Sequence, residues 1–171
     1  MLPSERLDFS PIGQRSKLEL PDGARLVVWV IVNIEEWDPT QPMPRTVITP
    51  PAGGVPMPDI PNWAWHEYGN RVGFWRMLDV LDHFHIRAVL AINGSAIQRY
   101  EPIARAALER GWEFIGHGFT QQSMQKVADE REDIRKTAAA GNGHAIPATL
   151  SVVGQLIPEP LQEFIWRIRV G

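Results

Sequence analysis

Apolar residues fall along this chain in short blocks separated by helical spacings. Ala24-Arg25-Leu26-Val27-Val28-Trp29-Val30-Ile31-Val32-Asn33-Ile34 is a near-continuous β-branched run. Such a run predicts a strand buried on both faces, as in a parallel sheet or barrel. Ile86–Ile92 and Trp112–Gly116 predict two further strands of the same kind. Between the first two, residues 71–84 carry Phe74, Met77, Leu78, Leu81 and Phe84 on one helical stripe, the candidate core. Residues 97–110 form a second such helix, with Ile103, Ala107 and Leu108 inward and Gly111 as its stop. The order strand–helix–strand–helix–strand predicts an α/β fold with parallel strands. A charged helix over 128–140 follows, with opposite charges in i, i+4 reach such as Glu132 and Lys136.

The rest of the pattern is irregular. Residues 1–23 read as an N-terminal arm. From Pro39 to Pro61 the chain holds eight prolines, a density that excludes helix or central strand and predicts a long loop. Trp63, Trp65, His66, Glu67 and Tyr68 continue it as an aromatic-polar loop ahead of the first helix. After Gly141 the rhythm fades: Val152–Ile157 suits a strand, and Leu161–Val170 an amphipathic helix or strand.

Composition adds little beyond exclusions. The 171 residues fit one domain, and a net charge of −3 gives no basic footprint for nucleic acid or an anionic membrane. Without cysteine the chain has no disulfide, thiolate metal site or Cys nucleophile. No run reaches the ~18 apolar residues of a membrane span, and the N-terminus lacks signal-peptide character. A cytoplasmic protein without membrane or nucleic-acid partners is therefore expected.

In parallel sheets, ligands gather at the carboxyl ends of the strands. Here those ends are Glu35-Glu36, Asn93-Gly94 and Gly116-His117-Gly118. Amide hydrolysis needs a base for water and an acid for the departing nitrogen. Glu35 and Glu36 can divide base and ligand roles, since adjacent like charges push their pKa values apart. His117 can move a proton or ligate a metal. Asn93 is a candidate substrate contact, although the Asn93-Gly94-Ser95 turn also suits a helix capped by Ser95. Arg71 suits pairing with Glu36 or binding a substrate carboxylate. Trp65 and Tyr68 are placed to contact substrate, or simply to pack over the mouth.

His117-Gly118-Phe119-Thr120, following a Gly-Trp-Glu-Phe-Ile strand, resembles the histidine motif of the polysaccharide deacetylase (NodB-homology) family. Val32-Asn33-Ile34-Glu35-Glu36 and Tyr68-Gly69-Asn70-Arg71-Val72-Gly73-Phe74-Trp75-Arg76 are similar to segments of its allantoinase-like branch. The resemblance covers roughly residues 24–137. It implies a distorted (β/α) barrel and hydrolysis of carbon–nitrogen bonds outside peptides. In the deacetylases it implies a divalent, zinc-like metal held by one acid of a pair and two histidines spaced i, i+4, the other acid being the base. Carried over, the metal would fall to Glu36 and His117, while the second histidine's position holds Gln121. A neutral amide is a poor ligand for such an ion, so metal-bound and metal-free sites both stay open.

Family barrels run to nearly twice this length, and nothing after Thr137 resembles their later motifs. The expected organisation is an arm over 1–23, an incomplete NodB-type domain over 24–140, and a divergent tail over 141–171, the chain being truncated. The expected function is a deacetylase-like or allantoinase-like hydrolase acting on a small ureide or an N-acetyl sugar. The alternative is an inactive remnant or binding module, with a homo-oligomer as one way to supply missing strands.

Overall fold

The computed structural model describes residues 9–17, 19–50, 53–54, 56–122, 124–143, 151–152 and 166–167. Most of the tail, including most of 152–157 and 161–170, lies outside the described residues.

Three parallel strands form the centre: β1 (Ile31–Ile34), β2 (Val89–Ile92) and β3 (Glu113–Gly116). Their register aligns Ile34, Ile92 and Gly116, so the three carboxyl ends finish level. β4 (Ser151–Val152) adds to β3 in parallel and β5 (Trp166–Arg167) to β4 antiparallel. The sheet order is β1-β2-β3-β4-β5, which leaves β1 at one edge.

The first strand is shorter than its β-branched run predicts. Its burial alternates, and Leu26, Val27, Val28 and Trp29 are exposed. The reason is a missing neighbour. The ladder begins where Val89 N donates to Val30 O at 2.9 Å, and residues 24–29 run on past the start of β2. β2 alone matches the fully buried pattern, all four of its residues being inside.

The Pro-rich loop also ends earlier than expected. Helix α1 (Ile60–Tyr68) takes in Pro61 and most of the aromatic segment. Proline is tolerated in a first turn, where its absent N–H has no partner to lose. Asp59 caps that turn through Asn62 N at 3.2 Å. The helical path then passes through a π-turn at Gly69–Gly73 into α2 (Phe74–His83). Phe74, Leu78 and Leu81 face the core as read, but Met77 borders solvent and Phe84 lies outside beyond the helix end.

The second expected helix is two: α3 (Gly94–Arg99) and α4 (Glu101–Glu109). The break at Tyr100 has a plain cause. Pro102 has no N–H for the carbonyl four residues back, and its ring would clash there. The start of α3 differs too. Asn93, not Ser95, occupies the cap position, and Ser95 Oγ is buried without a hydrogen-bond partner among the described residues. The first α3 amides are instead taken by a neighbouring turn: Gly94 N donates to Gly118 O at 3.0 Å and Ser95 N to Phe119 O at 2.9 Å. Helix α5 (Glu130–Gly143) closes over this junction, its Asp133 Oδ2 accepting from Phe119 N at 2.9 Å.

Gly94 is required there by close approach. A Cβ at this position would stand 2.6 Å from a ring carbon of Phe119 and 3.1 Å from Thr137 Cα. Gly94→Ala should therefore lower stability by about 1–3 kcal/mol through overpacking, measured as a shift of the urea midpoint. An unchanged midpoint would show that α3, α5 and the 117–120 turn are not in contact.

Candidate active site

The level strand ends place the chemistry. Glu35 and Glu36 follow β1, Asn93 follows β2 and His117 follows β3. His117 Nε2 lies 3.3 Å from Glu35 Oε1, with both side chains largely buried. Trp37 Nε1 donates to the other Glu35 oxygen at 3.0 Å, and Asn70 Nδ2 donates to the Glu35 carbonyl at 3.0 Å. Asn70 sits in the π-turn, which directs a buried amide toward the end of β1. Such turns inside helices are frequent at functional sites.

Burial alone would raise the Glu35 carboxyl. The hydrogen bonds from His117 and Trp37, with the attraction of His117 and His66, outweigh it and hold the group below its ordinary value. A carboxylate at neutral pH results. His66 packs its ring against Trp37, and its own pKa is lowered. Burial is the main cause, helped by the Arg45 charge and opposed by Glu35 and Glu67. His66 therefore favours the neutral imidazole.

The second carboxylate goes elsewhere. Glu36 Oε1 pairs with Arg99 Nη1 from α3 at 2.7 Å. Arg71, expected beside Glu36, instead bonds Glu67 at 2.7 Å, one helical turn back. Glu67 is itself buried and also accepts from the Tyr100 hydroxyl. Burial first, then that hydrogen bond, pushes Tyr100 up to about 12. Arg99 and Tyr100 had no signal in the sequence, because their pairing depends on how α3 meets the end of β1 and α1.

Asn93 has 0% exposure. Its Oδ1 accepts from Glu36 N at 3.2 Å, and its Nδ2 donates to His117 O at 2.5 Å and to Gln121 Oε1 at 3.2 Å. Those bonds brace the strand ends, so the Asn93 amide faces backbone and Gln121 rather than open space.

A cleft of about 720 Å³ opens above β1, with Glu35 and Gln121 in its lining. Trp65 and Tyr68 line it as half-exposed walls, opposite Trp37 and Phe74. Arg45, from the Pro-rich loop, completes the rim.

The family model for polysaccharide deacetylase matches residues 64–142, the stretch that holds Asn70, Asn93, His117 and Gln121. Two crystal structures share the fold of this chain. One, of PuuE allantoinase, superposes with a TM-score of 0.64 at 20% identity, covering 81% of this chain and 51% of that one. The other, a probable polysaccharide deacetylase from Pseudomonas aeruginosa PAO1, gives 0.56 at 20% identity over 68% and 42%. No curated protein matches by sequence. The chain thus spans about half the length of the first of these structures. Its architecture is a partial α/β barrel of the NodB type. No helix of the described residues is long and apolar enough to cross a membrane.

Members of such a family commonly hold a divalent metal, and the donors here do not fit one. Glu36 turns to Arg99, and Gln121 presents an amide already bonded to Asn93. Only Glu35 and His117 face each other, and among the described residues no three His, Asp or Glu side chains are grouped as a metal site.

Acid should weaken this region first. Glu35 has a lowered folded pKa, so its contribution is present above the unfolded value near 4.5 and is lost as pH falls through the folded one. His66, also lowered from 6.5, adds a loss that begins higher, because below 6.5 the unfolded chain binds the proton more readily. Urea midpoints measured from pH 7.5 downward should fall below about 6.5, and His66→Gln should flatten the upper part of that fall. A midpoint independent of pH across this range would contradict the burial of His66.

Proposed function

We propose that the chain carries part of the active site of a hydrolase of carbon–nitrogen bonds other than peptides, on the allantoinase-like side of its family. Glu35 and His117 form its acid–base pair. The observation that supports this reading is their 3.3 Å contact at adjacent strand ends, with Glu35 opening into the cleft.

Glu35, ionised by its partners, accepts a proton from a water molecule in the cleft. The water oxygen bonds to the carbonyl carbon as the proton enters the Glu35–His117 pair. When the carbon–nitrogen bond breaks, the pair returns that proton to the departing nitrogen, so the couple ends as it began. Trp37 and Asn70 hold Glu35 at both its carboxylate and its carbonyl, which fixes the base in place. Arg99 keeps Glu36 out of this exchange by pairing with it. A cleft of this volume, walled by aromatic rings, suits a small ureide better than a polymer of N-acetyl sugars.

One observation favours the reading as a binding module without turnover: the position of the second family histidine holds Gln121, with its amide engaged by Asn93. Assays of allantoin ring opening and of chitooligosaccharide deacetylation, with and without chelator, separate the two. The hydrolase reading expects turnover of allantoin that resists chelation. It also expects Glu35→Gln and His117→Ala each to lower kcat by about 10²–10⁴-fold. Turnover of neither compound supports the binding module, and loss of activity on chelation would overturn the metal-free assignment.

A further inference from the structure

The Pro-rich loop between β1 and α1 is more firmly held than its composition suggests. Its base is closed where Asp59 N donates to Pro39 O at 2.9 Å. Its middle is clamped by Asn62, whose Oδ1 accepts from Val47 N and Ile48 N at 2.8 Å each while its Nδ2 donates to Ile48 O at 3.1 Å. Asn62 is buried, and so is Asp59, whose carboxylate takes the same Asn62 amide at 2.9 Å. Two residues before this clamp stands Arg45.

Arg45 lines the cleft as its one permanent cation among the described residues. Other arginines near the site are neutralised: Arg71 by Glu67 and Arg99 by Glu36. Arg45 forms no salt bridge among the described residues. Nor does Glu35 need it, being already served by His117 and Trp37. An exposed guanidinium at the rim of an aromatic cleft, its charge felt at His66 and without an ion-pair partner among the described residues, is suited to a planar anion from outside.

We propose that Arg45 recognises a carboxylate on the substrate, so that the class of molecule bound is a small planar amide or ureide bearing a carboxylate away from its scissile bond. The aromatic walls take the planar part. Glu35 repels the charged end, and Arg45 attracts it, so the two groups orient the molecule with its amide inward. This rests on the cleft being the substrate site, as proposed above.

Calorimetric titration of the full chain with hydantoin-5-acetate and with neutral hydantoin tests it. The acid should bind about 10–100-fold more tightly, as expected for a charge-assisted hydrogen-bonded pair. Arg45→Gln should remove that preference, Arg45→Lys should keep part of it, and added salt should shrink it. Glu35→Gln should retain it, because binding precedes chemistry. Equal binding of the two compounds, binding of neither, or a preference that survives Arg45→Gln would each overturn the proposal. Preference without any hydrolysis would leave Arg45's role standing while removing the hydrolase reading.

Discussion

Asn93 ties together three elements that the backbone ladder leaves separate at their ends. Beyond Ile34, Ile92 and Gly116 the regular pairing stops, and the chain must turn while its polar groups remain inside. One carboxamide, fully buried, accepts the Glu36 amide and donates to the His117 carbonyl. It thereby sets the backbone at Glu36 and His117, beside the proposed acid–base pair, relative to β2. A side chain without both a donor and an acceptor could not do this. Aspartate at this position would place a buried charge against two carbonyls, and alanine would leave an amide and a carbonyl unsatisfied.

With the backbone fixed, the adjacent carboxylates are sorted by their surroundings. Two glutamates in sequence leave a strand on opposite sides, so only one can meet His117. Glu35 receives Trp37 and His117, and Glu36 receives Arg99 from the start of the next crossover. Glu35 keeps its charge because His117 and Trp37 outweigh the cost of its burial, while Glu36 is ion-paired with Arg99. Only one of the two carboxylates therefore meets the imidazole, the arrangement on which the proposed single base rests. The same logic extends beneath the site, where Glu67 joins Arg71 and Tyr100 and locks α1 to the break between α3 and α4.

The central layer was legible because local signals and tertiary demand agreed there. The run read over Ile86–Ile92 is buried from Ala88 on, with Ile86 exposed ahead of the strand. The strand-end rule pointed to Glu35 and His117, which lie 3.3 Å apart, whereas Glu36 turns to Arg99. What failed did so where a distant neighbour decided the outcome. The run from Leu26 to Trp29 has strand composition but no strand beside it among the described residues. Pro61 marks a helix start rather than a loop, because Asp59 and Asn62 supply the cap. Arg71 was read against Glu36 from chemistry alone, whereas helical spacing already offered Glu67 four residues away. Arg45 gave no signal at all; its place follows from a clamp fifteen and fourteen residues away in sequence.

The exposed side of β1 bears on the same site. β1 is the edge of the sheet and carries apolar residues on its open run, an arrangement that natural proteins generally cover or blunt. Val32, Asn33 and Ile34 of this edge strand, and Glu35 just beyond it, belong to the cleft lining. Any strand that paired with β1 would hide apolar surface and, by the same contact, raise a wall beside Glu35. Removing water from that side would strengthen the electrostatics of Glu35 and Arg45 together, since both line the cleft. Covering that edge and enclosing the cleft beside Glu35 are thus coupled, and the Arg45 preference proposed above should sharpen when β1 is closed.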